Sequence, residues 1–136
     1  MRRGPALLIA VAAFVFWGLN AFDLWAVHSG WAPYASAYGE DLFAWLRDMP
    51  VLRKLVWDAA VACGLLGAAA LVWRPARAGD LMLGAVGLMV SGIAWDLVFA
   101  DGLAHYRGDG LFSSLVVIAI AAGLAWAAYR PARAAG

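Results

Sequence analysis

Four stretches of this chain are too long and too apolar to be folded in water without a partner, and their spacing constrains the fold more than any other feature. From Gly4 to Phe22 there are 19 residues without a charge, and the apolar character continues to Val27. Further apolar runs cover Leu52 to Trp73, Leu81 to Ala100 and Leu111 to Tyr129. At a helical rise of about 1.5 Å per residue, about 20 residues cross the ~30 Å hydrocarbon core of a bilayer. The runs therefore predict transmembrane helices at approximately 5–27, 52–73, 81–100 and 111–129. Composition agrees, since 65% of the residues are hydrophobic and 14% charged, against about 25% charged in an average soluble domain. The connections Arg74 to Asp80 and Asp101 to Gly110 are short, so sequential helices run antiparallel. The expected fold is all-α: one integral membrane domain over 1–136, a four-helix transmembrane up-down bundle.

The basic residues predict an orientation, because Lys and Arg near span ends favour the cytoplasmic side. Arg2, Arg3, Arg74, Arg77, Arg130 and Arg133 share one end of such a bundle, against Arg47, Arg53, Lys54 and Arg107 at the other. Eight of the nine acids lie toward the second end and only Asp80 toward the first. Both termini are thus expected in the cytoplasm. Arg2 and Arg3 before an apolar run resemble a secretory signal, but the run exceeds a signal core and no clean small-residue cleavage site precedes Asn20. A short repeat marks the same end: Trp73-Arg74-Pro75-Ala76-Arg77-Ala78 returns as Tyr129-Arg130-Pro131-Ala132-Arg133-Ala134. An interfacial aromatic, arginines at a helix C-terminus and a following proline read as an anchor and a stop, which makes Arg74, Arg77, Arg130 and Arg133 the cytoplasmic anchors.

Between the first two spans, His28 to Val51 is the longest segment at the opposite end. Within it Leu42, Trp45, Leu46 and Met49 follow i, i+3, i+4, i+7, with Glu40 and Asp41 in the first turn and Pro50 after the end. This predicts a short amphipathic helix at approximately 40–49, lying in the membrane interface or capping the open end of the bundle.

Three carboxyls carry the chemical interest. Asp23, Asp58 and Asp96 each lie roughly 7 to 9 Å inside the same end of a different span, at helical rise. Charges within spans are costly and usually face the bundle or a wet cavity. Were they to converge, like charges would raise at least one pKa and make a proton or cation site. Arg53, Lys54 and Arg107 are the available neutralising partners, Lys54 standing four residues before Asp58, and Asn20 shares a helix face with Asp23. Polar packing and ion pairing that fix the bundle are the competing reading. Trp57-Asp58 and Trp95-Asp96 form a second, shorter echo on the second and third spans. His28 and His105 add ligand types suited to a metal, but their spacing matches no metal motif and exposed loop histidines are the expectation. Lone Cys63 reads as a small packing residue. Phosphate-binding glycine loops, Ser-His-Asp order, haem attachment and paired-Cys motifs are missing. No catalytic residue, cofactor or nucleic-acid partner is therefore expected.

Small residues provide packing surfaces: Ala60, Gly64 and Ala68, with Cys63 and Gly67, on the second span, and Gly84, Gly87, Ser91 and Gly92 on the third. They join helices within the bundle and leave room for a homo-oligomer or a larger membrane complex, besides the lipid bilayer itself. Trp17 and Trp126 are expected to fill the bundle or touch lipid.

The string Trp17, Asn20, Ala21, Phe22, Asp23, followed by Tyr34, Phe43, Pro50 and then Trp57, Val61, Gly64, Leu65 and Gly67, resembles small bacterial four-span membrane proteins, broadly DoxX-like in size and sometimes labelled sugar transporters. The resemblance covers mainly 17–67, implies a bacterial inner membrane, and gives no role to Asp58 or Asp96. Three functional classes follow from the residues. The first is a non-enzymatic accessory or interaction component of the membrane, the second an oligomeric transporter or channel for a proton, cation or small polar solute, and the third a membrane enzyme or redox component.

Overall fold

The computed structural model describes residues 3–133, with Arg2 and the side chains of Arg3 and Arg133 outside the description. The chain folds as an all-α bundle of α1 (Arg3–His28), α2 (Ala32–Tyr38), α3 (Glu40–Arg47), α4 (Val51–Trp73), α5 (Pro75–Phe99) and α6 (Gly102–Arg133). Four helical stretches, Gly4–His28, Val51–Trp73, Pro75–Phe99 and Asp109–Arg130, are long and apolar enough to cross a membrane. They expose large side chains such as Leu8, Leu19, Val98 and Phe112, each at least 65% accessible. An apolar surface on that scale suits lipid, not water.

Local chemistry sets the boundaries. Residues before proline are pushed out of the helical region, and proline itself is well tolerated at the first helical position. Arg74 accordingly takes φ −144°, ψ 67° between α4 and α5, and Pro75 opens α5. The predicted connection over 74–80 is thus a single non-helical residue, and α5 begins six residues earlier than expected. In the second copy of the repeat, α6 runs through to Arg133. After Trp73 the chain turns back to pack α5 on α4. In the segment between α1 and α4 there are two short helices where one was expected. Gly39 separates them at φ +81°, ψ 141°, a conformation that only glycine adopts readily.

In the bundle α1 packs on α4, α4 on α5 and α5 on α6, while α1 and α6 scarcely meet. At the end that holds the α4–α5 turn, the core is built from small residues: Ala10, Ala13, Ala68, Ala78, Ala85, Ala121, Ala125 and Ala128 are 0 to 2% accessible. Glycines admit the large side chains. A Cβ on Gly64 would stand 2.0 Å from the ring of Trp17, which is itself fully buried, and one on Gly67 would stand 2.7 Å from Met82 Cγ. Such close approach maximises dispersion where hydrophobic exclusion gives no drive between helices. Not every predicted small-residue position serves this purpose: Gly84 and Gly87 look onto open space. Trp126 is 62% exposed, with the Arg130 guanidinium 3.8 Å over its ring.

At the other end, α2 and α3 form a cap. Phe43, Leu46 and Met49 are buried against Val27 of α1, with Tyr34, Tyr38 and Trp57 packed around them. The amphipathic element thus packs over the open end of the bundle.

Candidate ligand cavity beneath the helical cap

Because α1 and α6 scarcely meet, the half of the bundle under the cap is not filled. A cavity of about 900 Å³ lies there. Asn20 and Asp23 of α1 face Ser113, Ser114, Val117 and Ile118 of α6 across it, with α4 and α5 behind. The cap supplies Tyr34, Tyr38, Leu42 and Leu46. From Asp109 to Ile118 the α6 wall descends nine residues, about 14 Å at helical rise. The walls change character with depth. Leu88, Met89, Ile93, Val117, Ile118 and Ala60 make the deep part mostly apolar, with Asn20 as its polar member. The mouth carries Asp23, Glu40, Asp41, Arg107 and Asp109. Below the cavity the alanine-rich core and Trp17 close the bundle.

Asp23 is held by the cap. Tyr34 and Tyr38, one helical turn apart on α2, both aim at it: the Tyr34 hydroxyl donates to Oδ1 at 2.6 Å and the Tyr38 hydroxyl donates to Oδ2. Burial, reinforced by the adjacent carboxylate, pushes the Tyr34 phenol up to about 12 and raises Tyr38 further. Both phenols therefore remain protonated donors at neutral pH. A carboxylate offers about four acceptor positions, so two donors leave it capacity for a ligand. Asn20, the predicted neighbour, lines the same cavity and donates from Nδ2 to Phe16 O at 2.9 Å.

Asp96 has a different role. It is 1% accessible and receives a two-pronged contact from Arg53, Nε to Oδ1 at 2.9 Å and Nη2 to Oδ2 at 2.7 Å. Tyr106 adds a hydroxyl donor to Oδ2 at 2.8 Å, and burial followed by the Asp96 charge raises its pKa. Gly92 makes the arrangement feasible, since a Cβ there would stand 2.7 Å from the Arg53 Cζ. One ion pair thus fastens α4, α5 and the start of α6. Asp58 is peripheral by comparison, its side chain 42% exposed and its Oδ1 3.5 Å from His28 Nδ1. His28 stands edge-on to Trp57, with ring centroids 5.6 Å apart.

Equal depth along the helices thus does not make one site. Of the three aspartates only Asp23 lines the cavity, while Asp58 and Asp96 take partners of their own. The Trp-Asp echo diverges likewise: Trp57 lines the cavity, whereas Trp95 is 43% exposed beside Phe99. Lys54 makes no ion pair among the described residues, and Arg107 reaches Asp41 at 3.8 Å in the open. His105 stacks on Trp45 with centroids 4.8 Å apart, neither histidine is fully exposed, and the two keep separate partners. Among the described residues no cluster of three or more His, Cys, Asp or Glu is placed to hold a metal ion. Arg74, Arg77 and Arg130 are exposed at the opposite end.

Sequence reasoning passed over Tyr34, Tyr38 and Tyr106 as site residues. The i, i+4 spacing of Tyr34 and Tyr38 was a usable signal, because it puts both hydroxyls on one helix face. Tyr106 lies in a short turn of helix bounded by Asp101 and Arg107 at φ +53° and +50°, a geometry with no clear sequence mark. Comparison with known proteins leaves this geometry as the basis for function: no family model, curated protein or solved structure matches the chain.

Proposed function

We propose that this multi-pass membrane protein is a non-enzymatic accessory component that works by holding an amphiphilic molecule in the cavity beneath its cap. The carrying observation is the graded wall: apolar between Leu88 and Ile118, polar and charged at Asp23 and the α2–α3 cap, and closed beneath by the alanine-rich core. A volume of about 900 Å³ lies within the ~300–1,000 Å³ range of ligand sites. The weak α1–α6 seam offers entry from the bilayer. The distribution of basic residues supports a cytoplasmic position for the termini, which opens the cavity toward the opposite leaflet. The resemblance of 17–67 to small bacterial four-span proteins supports an inner-membrane location.

Transport is the second reading, favoured by the same polar mouth. It requires the Ala10–Ala128 core to open or several copies to form a path, because a solute entering one bundle meets Trp17 and Gly64 in direct contact. Two measurements separate the readings. Native mass spectrometry of the protein released from micelles should find a bound amphiphile, lost in Val117→Trp, whose indole fills the deep wall. Solute flux into proteoliposomes that exceeds empty vesicles and vanishes in the same variant would replace the binding reading with transport. Retention of the amphiphile in a folded Val117→Trp protein would remove the cavity from both.

A further inference from the structure

From the composition of the cavity mouth we infer that its ligand is a lipophilic organic cation, with its ammonium group among Asp23, Tyr34, Tyr38 and Trp57 and its apolar tail along the deep wall. The inference rests on the binding reading above and adds the charge of the ligand.

Charge at the mouth is one-sided. Among the lining residues the acids are Asp23, Glu40, Asp41 and Asp109, and the basic side chains are Arg53, Arg107 and His105, the last stacked on Trp45. Arg53 is committed to buried Asp96, and Arg107 pairs with Asp41. Among the described residues no ion pair engages Asp23, Glu40 or Asp109. An anionic head entering here meets net negative charge, whereas a cation is attracted. An uncharged head gains neither effect.

Aromatic rings supply the second, independent part. Tyr34, Tyr38, Trp57 and Tyr106 all line the cavity and come from the cap, α4 and α6; Tyr34 also packs on Phe22 and Trp31, Trp57 edge-on to His28 and Tyr106 edge-on to Trp45. Ring faces attract cations, and cages of this composition recognise ammonium groups. The Tyr34 and Tyr38 rings are 5.5 Å apart at 61°, fixed by their bonds to Asp23. Asp23 thus serves twice, orienting two rings and supplying the countercharge. Strongly hydrated inorganic cations suit this site less well, since the rings and apolar walls offer few oxygens to replace a hydration shell. The depth of the apolar wall favours a tail on the cation.

Three probes with one tail and different heads test the assignment: dodecyltrimethylammonium, 1-dodecanol and dodecyl sulfate. Each is measured by equilibrium binding to the full chain in zwitterionic nanodiscs, with empty nanodiscs subtracted. The cationic probe should bind about tenfold or more tighter than the alcohol, and the sulfate more weakly than either. Asp23→Asn keeps a shape the tyrosines can still contact and should remove most of the cationic preference over the alcohol. Equal affinities for the cation and the alcohol, or an undiminished preference in Asp23→Asn, would overturn the cation assignment. If all three probes bind alike and are all lost in Val117→Trp, the cavity reading stands without the cation. If no probe binds above empty nanodiscs, both readings fail. The head-group comparison on the unmodified chain decides the matter even where a variant does not fold.

Discussion

Asp96 should be the most costly of the intramembrane carboxyls to disturb, and the size of the effect follows from its surroundings. Its side chain is 2% exposed and that of Arg53 10%, so water can compensate neither charge when the other is removed. Breaking a buried pair by deleting one member typically costs about 3 to 5 kcal/mol, chiefly because the survivor is left charged and unpaired. Asp96→Asn strands the Arg53 guanidinium. Arg53→Met strands Asp96 with the Tyr106 hydroxyl as its remaining side-chain donor among the described residues. Either change should shift the folded-to-unfolded ratio by roughly a hundredfold to several thousandfold, a large part of the ~5–15 kcal/mol that holds a typical domain together. Replacing both, as Arg53→Met with Asp96→Leu, should recover most of the loss, because a hydrophobic pair pays no desolvation penalty. Reversible unfolding in mixed micelles, followed by circular dichroism, would measure the parent, Arg53→Met, Asp96→Leu and the double variant as a double-mutant cycle, with Asp96→Asn alongside. Single variants as stable as the parent, or a double variant as unstable as the sum of the singles, would refute the claim that the pair acts as a buried unit.

Asp58→Asn should cost no more than about 1 kcal/mol in the same assay, since its side chain is 42% exposed and its contact with His28 is long; a loss matching that of Asp96→Asn would contradict the difference drawn between them. Gly64→Ala places a Cβ 2.0 Å from the Trp17 ring and should destabilise by about 1 to 3 kcal/mol. By contrast Gly84→Ala, with nothing within 4 Å, should stay within about 0.5 kcal/mol; equal effects in thermal melts would count against the ring-on-glycine packing. The pH dependence of the cap follows from Tyr34, raised from 10.0 to about 12 in the fold. A raised pKa contributes stability in full below the unfolded value, and that contribution is lost as pH climbs through the folded one. Melting temperature should therefore fall as pH climbs from about 10, with Tyr38 adding to the fall, and Tyr34→Phe should make it shallower, a result absent if the phenol titrates normally.

Much of the architecture was legible in the chain because lipid imposes a simple rule: a segment without charges must be long enough to cross and must satisfy its own backbone. The run from Gly4 to Phe22, the charge-free fourth run and the short connections were enough to predict an all-α four-span bundle. Helix starts and stops were less legible. Pro75 reads equally as a stop for α4 and as the first residue of α5, and only the return packing of α5 on α4 makes it the second.

The sequence alone determined that there are four long apolar helices and that Asp23, Asp58 and Asp96 stand at similar distances from the ends of their apolar runs, since both depend only on distance along the chain. What each carboxyl does was decided by tertiary structure. Rotation about the helix axis, absent from depth, carries Asp96 into the Arg53 fork beside Gly92 and leaves Asp58 near the surface with His28. The cap then turns Tyr34 and Tyr38 onto Asp23, and the poor contact between α1 and α6 leaves a cavity beside it. Contacts between residues dozens of positions apart create that cavity, so no local pattern could have announced it.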